Sequence, residues 1–143
     1  MALIGLLEDN DRIAKLCATF LDLAGHQVTI YDTSFDCLRA LFSYGNTEDA
    51  SLSQHEFVSG NSLPVEILIL DLSLPDINGI EVLHYLTTHP HTRSLPLIVC
   101  TAAINEIEKA RRIAPHAGIV EKPFKLETLV SAIASALKTP AAQ

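Results

Sequence analysis

Residues 65–81 read Val-Glu-Ile-Leu-Ile-Leu-Asp-Leu-Ser-Leu-Pro-Asp-Ile-Asn-Gly-Ile-Glu. An apolar run of strand length ends on an acid, Asp71, then passes through a Pro75-Asp76 turn to a capping residue, Asn78, and the start of a helical period. The run is close to continuous and does not alternate, so its strand must be covered on both faces, as in a parallel sheet with helices on either side. Runs of the same kind lie at 3–7 and 95–100, with shorter ones at 28–31 and 118–120.

Helical periods fill the intervals. Ile13, Leu16, Cys17, Phe20, Leu23 and Ala24 fall on one stripe, as do Leu126, Leu129, Val130, Ile133, Ala134 and Leu137, which predicts two amphipathic helices resting on those faces. Asn10 is placed to accept from the free amides of the first helix, and Gly25 to close it in the left-handed conformation. Asn78 starts a third helix, and Asn105 with Glu108 has the capping-box spacing for a fourth, which Pro115 ends. The expected order is β1 (3–8), α1 (11–24), β2 (27–31), α2 (34–44), β3 (65–70), α3 (79–88), β4 (96–100), α4 (106–114), β5 (117–121) and α5 (125–138). Strict alternation predicts an α/β fold, a doubly wound five-stranded parallel sheet joined by right-handed crossovers. The interval from Thr33 to Pro64 is longer than one helix and two short loops require. Its part at about 45–64, rich in Ser, Asn, Gly and acid, is expected to be an extended surface loop, and 140–143 a frayed tail on a single domain spanning 1–139.

The chain has 143 residues, 48% hydrophobic and 19% charged, enough apolar side chain for one sizeable core. Ten Lys and Arg against 17 Asp and Glu leave a net charge of −7, which disfavours direct binding to nucleic acid or to an anionic membrane surface. Cys17, Cys37 and Cys100 form no CxxC pair and leave an odd count, as suits small core residues in a reducing, cytoplasmic compartment. No apolar run is long enough to span a bilayer, and the N-terminus lacks the pattern of a signal peptide.

In an open α/β sheet, functional groups gather at the carboxyl ends of the strands. There stand Glu8 and Asp9 after β1, Asp71 after β3, Thr101 after β4 and Lys122 after β5. A helix cap or a solvated strand end explains any one of these; five compatible groups at five such corners are harder to explain so. Two carboxylates 4 Å apart repel by about 4 kcal/mol at an effective dielectric near 20, so the three acids, if they meet, call for a cation. Oxygen ligands without His or Cys select a hard ion, and few carboxylates with room for water suit Mg²⁺. Lys122 adds a point charge and Thr101 a hydroxyl donor. The set is complete for phosphoryl transfer to a carboxylate, with Asp71 as nucleophile and Glu8 and Asp9 better placed to hold metal.

Glu8-Asp9, the run from Ile69 to Glu81, Thr101-Ala102 and Lys122-Pro123-Phe124, taken in order, resemble a response-regulator receiver domain of two-component signalling. The resemblance spans nearly the whole chain and implies a flavodoxin-like (βα)5 fold of strand order 2-1-3-4-5. It implies Asp71 as phosphoacceptor and Mg²⁺ held by Glu8, Asp9, Asp71 and the Ser73 main-chain carbonyl. Thr101 and Lys122 would then read the phosphoryl group. It further implies a cis Lys122-Pro123 bond, affordable because proline cuts the trans preference to about 0.5–1 kcal/mol, and one that would help aim Lys122 inward.

The implied function is a stand-alone receiver that takes a phosphoryl group from a histidine kinase or phosphotransfer protein and passes the signal to a downstream protein target. It is a switch and not a metabolic enzyme. Two alternatives share parts of this pattern. A phosphohydrolase working through an aspartyl phosphate would normally want an acid two residues after the nucleophile, where Ser73 stands. A phosphorylation-independent binding scaffold draws support only from the long loop and from Ile119, which replaces the aromatic that many members carry three residues before the lysine. Asn78 replaces a common Asp before the turn glycine and caps equally well. His84, His89 and His91 lie near one another in sequence, but no acid or Cys completes a metal site there.

Overall fold

The computed structural model describes residues 1–43 and 63–138. Among them, five strands alternate with five helices: β1 (Leu3–Leu7), α1 (Asp11–Leu23), β2 (Gln27–Tyr31), α2 (Ser34–Ser43), β3 (Ile67–Asp71), α3 (Gly79–Thr88), β4 (Leu97–Thr101), α4 (Ile104–Ile113), β5 (Gly118–Glu121) and α5 (Leu126–Lys138). All strand pairs are parallel. Their order is β2-β1-β3-β4-β5, the doubly wound, flavodoxin-like order that was expected. The expected loop at about 45–64 lies outside the described residues except for 63 and 64, and so does the expected tail at 140–143.

The three central strands carry the apolar runs because side chains on both of their faces are covered. On one face Leu7, Leu68, Leu70, Leu97 and Val99 join Cys37, Leu41, Val82, Leu83 and Ala110 in one buried cluster. On the other, Ile4, Leu6, Ile67, Ile69, Ile98 and Cys100 pack with Ala14, Cys17, Leu21, Leu129 and Ile133. Every residue of β3 and β4 is buried, whereas the edge strand β2 buries only Tyr31. All three cysteines are buried and unpaired, and burial pushes the Cys37 and Cys100 thiols up to about 12, so both stay protonated as core groups.

The caps behave as read for the first and third helices. Asn10 accepts from the amides of Arg12 and Ile13, and Asn78 from that of Ile80. Gly25, at φ +96°, follows the end of α1 in the left-handed region.

Three readings are corrected. The face of α1 turned to the sheet is Ala14, Cys17 and Leu21, leaving Ile13, Leu16 and Leu23 at 36%, 59% and 81% exposure. On α5 the buried residues are Leu129 and Ile133, while Ala134 and Leu137 are exposed. The α1 helix carries two adjacent apolar stripes that share Cys17, and hydropathy alone does not distinguish them. The expected box of Asn105 and Glu108 does not form either. Helix α4 begins at Ile104 with Ala103 as its N-cap, which offers no side-chain bond.

The strand register aligns the carboxyl ends. Leu7 pairs with Leu70, Asp71 with Cys100 and Thr101 with Glu121. Backbone bonds carry the alignment one step further, from the Glu8 amide to the Tyr31 carbonyl, from Leu72 to Cys100 and from Lys122 to Thr101. The residues that follow each strand therefore share one edge.

Candidate functional site

Asp71 is the last residue of β3, buried to 4% exposure, and Glu8 directly follows β1 at 5%. Both therefore sit at the carboxyl edge of the sheet with most of their surface covered. Asp9, the next residue, is exposed. One ligand oxygen from each of the three acids lies within 4.8 Å of the others, and among the described residues no other group of three His, Cys, Asp or Glu side chains is so gathered.

Lys122 directly follows β5 and is joined to Pro123 by a cis peptide bond. Its Nζ lies 3.1 Å from Asp71 Oδ2 and 3.3 Å from Glu8 Oε1. The other oxygens of the two acids are held by backbone donors: the Ser73 amide to Asp71 Oδ1 at 3.0 Å and the Asn10 amide to Glu8 Oε2 at 3.2 Å. Each carboxylate is thus fixed at both oxygens by charge-assisted bonds.

Burial pushes the Glu8 carboxyl up and the neighbouring Asp71 charge adds to the rise. Lys122 and the Asn10 amide pull the other way without cancelling it, so Glu8 sits above the usual carboxylate range. Burial alone would pull the Lys122 ammonium down, but Asp71 and Glu8 carry it above the usual lysine value. Lys122 is therefore charged, and one ammonium against three carboxylates leaves the site with two negative charges when all are ionised. An all-oxygen donor set with that residual charge fits a hard divalent cation such as Mg²⁺.

Glu8, Asp9, Asp71 and Lys122, singled out from the sequence, are thus brought together, and Ser73 adjoins them through its amide. Thr101 is at the same edge and fully buried, but its hydroxyl donates to Glu106 Oε1 at 3.0 Å and accepts from the Ala103 amide at 3.1 Å. Sequence reading missed Glu106, whose place in the first turn of α4 looked like an ordinary helix-start acid. It also missed Asp76, whose carboxylate accepts from the Ser34 and Phe35 amides and so caps α2 from across the fold. Ser34 returns a bond from its hydroxyl to the Ile77 carbonyl at 2.9 Å. This pair of ties fixes the β3–α3 loop that follows Asp71.

His89 and His91 pack against an aromatic ring. The rings of His89 and His91 lie 4.6 and 6.0 Å from that of Phe42, and His89 Nδ1 accepts from the His91 amide. A cavity of about 700 Å³ lies at the other end of the sheet, walled by Leu97, Ala114, His116, Gly118, Ile119 and Ala136. It gathers no acid. Ile119, half-buried, faces this cavity. Among the described residues no helix is long and apolar enough to cross a membrane.

Comparison with known proteins agrees with the geometry. The family model of the response regulator receiver domain matches residues 4–134. Over 134 residues the chain is 28% identical to the transcriptional regulatory protein GltR of Pseudomonas aeruginosa, covering 93% of this chain and 48% of that protein. Over 74 residues it is 38% identical to the phosphate regulon transcriptional regulatory protein PhoB of Rhizobium meliloti, covering 51% and 33%. The chain thus spans about half or less of the length of these relatives. A solved CheY-like response regulator receiver domain protein from Methanospirillum hungatei superposes with a TM-score of 0.72 at 19% identity, covering 96% of this chain and 94% of that one.

Proposed function

The chain belongs to the response-regulator receiver-domain family of two-component signalling, and on that premise we propose that Asp71 accepts a phosphoryl group from the phosphohistidine of a histidine kinase or phosphotransfer protein. An Asp71 carboxylate oxygen attacks phosphorus as the phosphorus–nitrogen bond to the donor imidazole breaks. The imidazole leaves with the bonding pair and takes a proton, and Asp71 becomes an acyl phosphate. Glu8, Asp9, Asp71 and the Ser73 carbonyl would hold Mg²⁺, whose chemistry when bound is to neutralise phosphoryl oxygens.

Lys122 orients the Asp71 carboxylate before transfer and is in reach to pair with the phosphoryl afterwards, with Thr101 supplying a hydroxyl donor. The observation that carries the reading is the Glu8–Lys122–Asp71 ion pair network at the edge where β1, β3 and β5 end. Reshaping a partner-binding surface in the cytoplasm is then a matter of population. Driving it from 1:99 to 99:1 takes about 5.5 kcal/mol of differential interaction, on the scale that a doubly charged group among Lys122, Thr101 and Mg²⁺ can supply. The product is a switched protein and not a released metabolite.

Incubation with a small phosphodonor such as phosphoramidate and Mg²⁺, followed by intact mass, tests this. A phosphate-sized gain that is absent in Asp71→Asn is expected. No gain with any donor, or a gain that survives the substitution, overturns it.

A further inference from the structure

A threonine hydroxyl has one proton to give. In this structure the Thr101 proton goes to Glu106 Oε1 at 3.0 Å, and its oxygen also takes the Ala103 amide at 3.1 Å. Thr101 is fully buried, and its two partners are partly so. Glu106 lies in the first turn of α4, whose N-cap, Ala103, supplies no side-chain acceptor. Thr101 and Glu106 therefore close the start of α4 between them. The same hydroxyl is the donor that the reading above assigns to a phosphoryl oxygen on Asp71. It cannot serve both acceptors at once, and an ionised carboxylate is a strong competitor.

We propose that Glu106 is a latch on Thr101: a positioning residue whose carboxylate holds the hydroxyl on α4 until a phosphoryl group on Asp71 outcompetes it, so that loading the site opens the first turn of α4. The inference rests on the phosphoacceptor reading and adds a residue to it. Two consequences separate a latch from a merely structural acid. Removing the Glu106 carboxylate favours the loaded state, because no competitor has to be displaced. That gain also exists only while Thr101 has a hydroxyl to release.

The test titrates wild type, Glu106→Ala and Glu106→Gln with fluoroberyllate in Mg²⁺, as a phosphoryl mimic, followed by amide NMR, with hydrogen exchange at Ala103 read in the same samples. Glu106→Ala is expected to bind about tenfold tighter, the size of one charge-assisted hydrogen bond. Glu106→Gln, which keeps an acceptor without the charge, is expected to fall between the two, and it decides the matter should the alanine variant unfold. In a Thr101→Val background the gain is expected to vanish, as a double-mutant cycle reports for directly coupled groups. Exchange at the wild-type Ala103 amide is expected to quicken when fluoroberyllate binds.

An unchanged affinity, or an equal gain with and without the Thr101 hydroxyl, overturns the latch alone, because wild type still binds. If wild type takes neither fluoroberyllate nor a phosphoryl group, the phosphoacceptor reading fails and the latch falls with it.

Discussion

The two ends of the sheet are made from the same strands and finish in opposite ways. At the carboxyl ends the Lys122 ammonium lies within 3.3 Å of both Glu8 and Asp71, with the exposed Asp9 beside them. At the amino ends a cavity of about 700 Å³ opens beside His116, Gly118 and Ile119, with no acid among the described residues that wall it. Room for a ligand and chemistry for a reaction are thus separated. The difference shows that a site of this kind is made by convergence of charge on a rigid edge and not by volume.

The contrast is broken most directly by phosphoryl uptake. Asp71→Asn is expected to abolish it, whereas His116→Ala at the far end leaves its rate within about twofold, as expected of surface changes away from a site. Equal losses in the intact-mass assay would erase the distinction between the ends.

Stability sharpens the contrast further. A Cβ on Gly79 would lie 2.3 Å from the Leu72 Cα, backbone that cannot move without disturbing the turn after Asp71, whereas one on Gly118 meets nothing nearer than Ile98 Cγ1 at 3.6 Å. Gly79→Ala is expected to cost about 1–3 kcal/mol in urea denaturation, and Gly118→Ala to stay within about 0.5 kcal/mol of wild type.

Cation binding gives a smaller effect. Calorimetric titration with Mg²⁺ is expected to show one event, weakened about tenfold in Glu8→Gln, a loss of the size seen when a group supporting a metal site is removed. A second event, or one indifferent to Glu8, would move the acid site's chemistry elsewhere.

The smallest effect concerns Asp76. Its slight burial pushes the carboxyl up, but the amides of Phe35, Ile77 and Ser34 outweigh this and bring it below the ordinary carboxylate value of 3.8. The folded state therefore holds this proton less tightly than the unfolded chain. The stabilisation is present above the ordinary value and is lost as pH falls through the lowered one. Asp76→Ala is expected to cost at most about 1 kcal/mol at neutral pH, because the group is exposed. Chemical denaturation at a series of acid pH values is expected to show that difference shrinking towards zero.

Much of this was legible in the residues. The alternation of apolar runs and helical periods determined ten elements to within a few residues, because covered parallel strands and amphipathic helices leave different periods in sequence. Asn10, Asn78 and Gly25 were readable as caps because capping is local: donor and acceptor lie within three residues. The acids were readable as a group because each follows a strand, and a parallel sheet puts every strand's end on one edge.

What was not legible depends on direction and distance. Ile13, Leu16 and Leu23 form as good an apolar stripe as Ala14, Cys17 and Leu21, and hydropathy alone cannot say which one the sheet covers. The expected Asn105–Glu108 box is absent because the helix already begins at Ile104, and the bond from Thr101 to Glu106 joins a strand's last residue to that first turn, a tie that local spacing does not announce. Asp76 caps a helix that begins 42 residues earlier in the chain, a tie for which local spacing gives no sign.

By itself, then, the sequence determined the order of the elements, the edge where charge gathers and the residue types available there, since these follow from periodicity and from bonds between near neighbours. Only the tertiary structure decided that Lys122 bridges Asp71 and Glu8, that Thr101 is bonded to Glu106, and which face of α1 is buried. A side chain's partner is set by where the backbone aims it after distant segments have packed, and that aim is a property of the assembled sheet rather than of any stretch of chain.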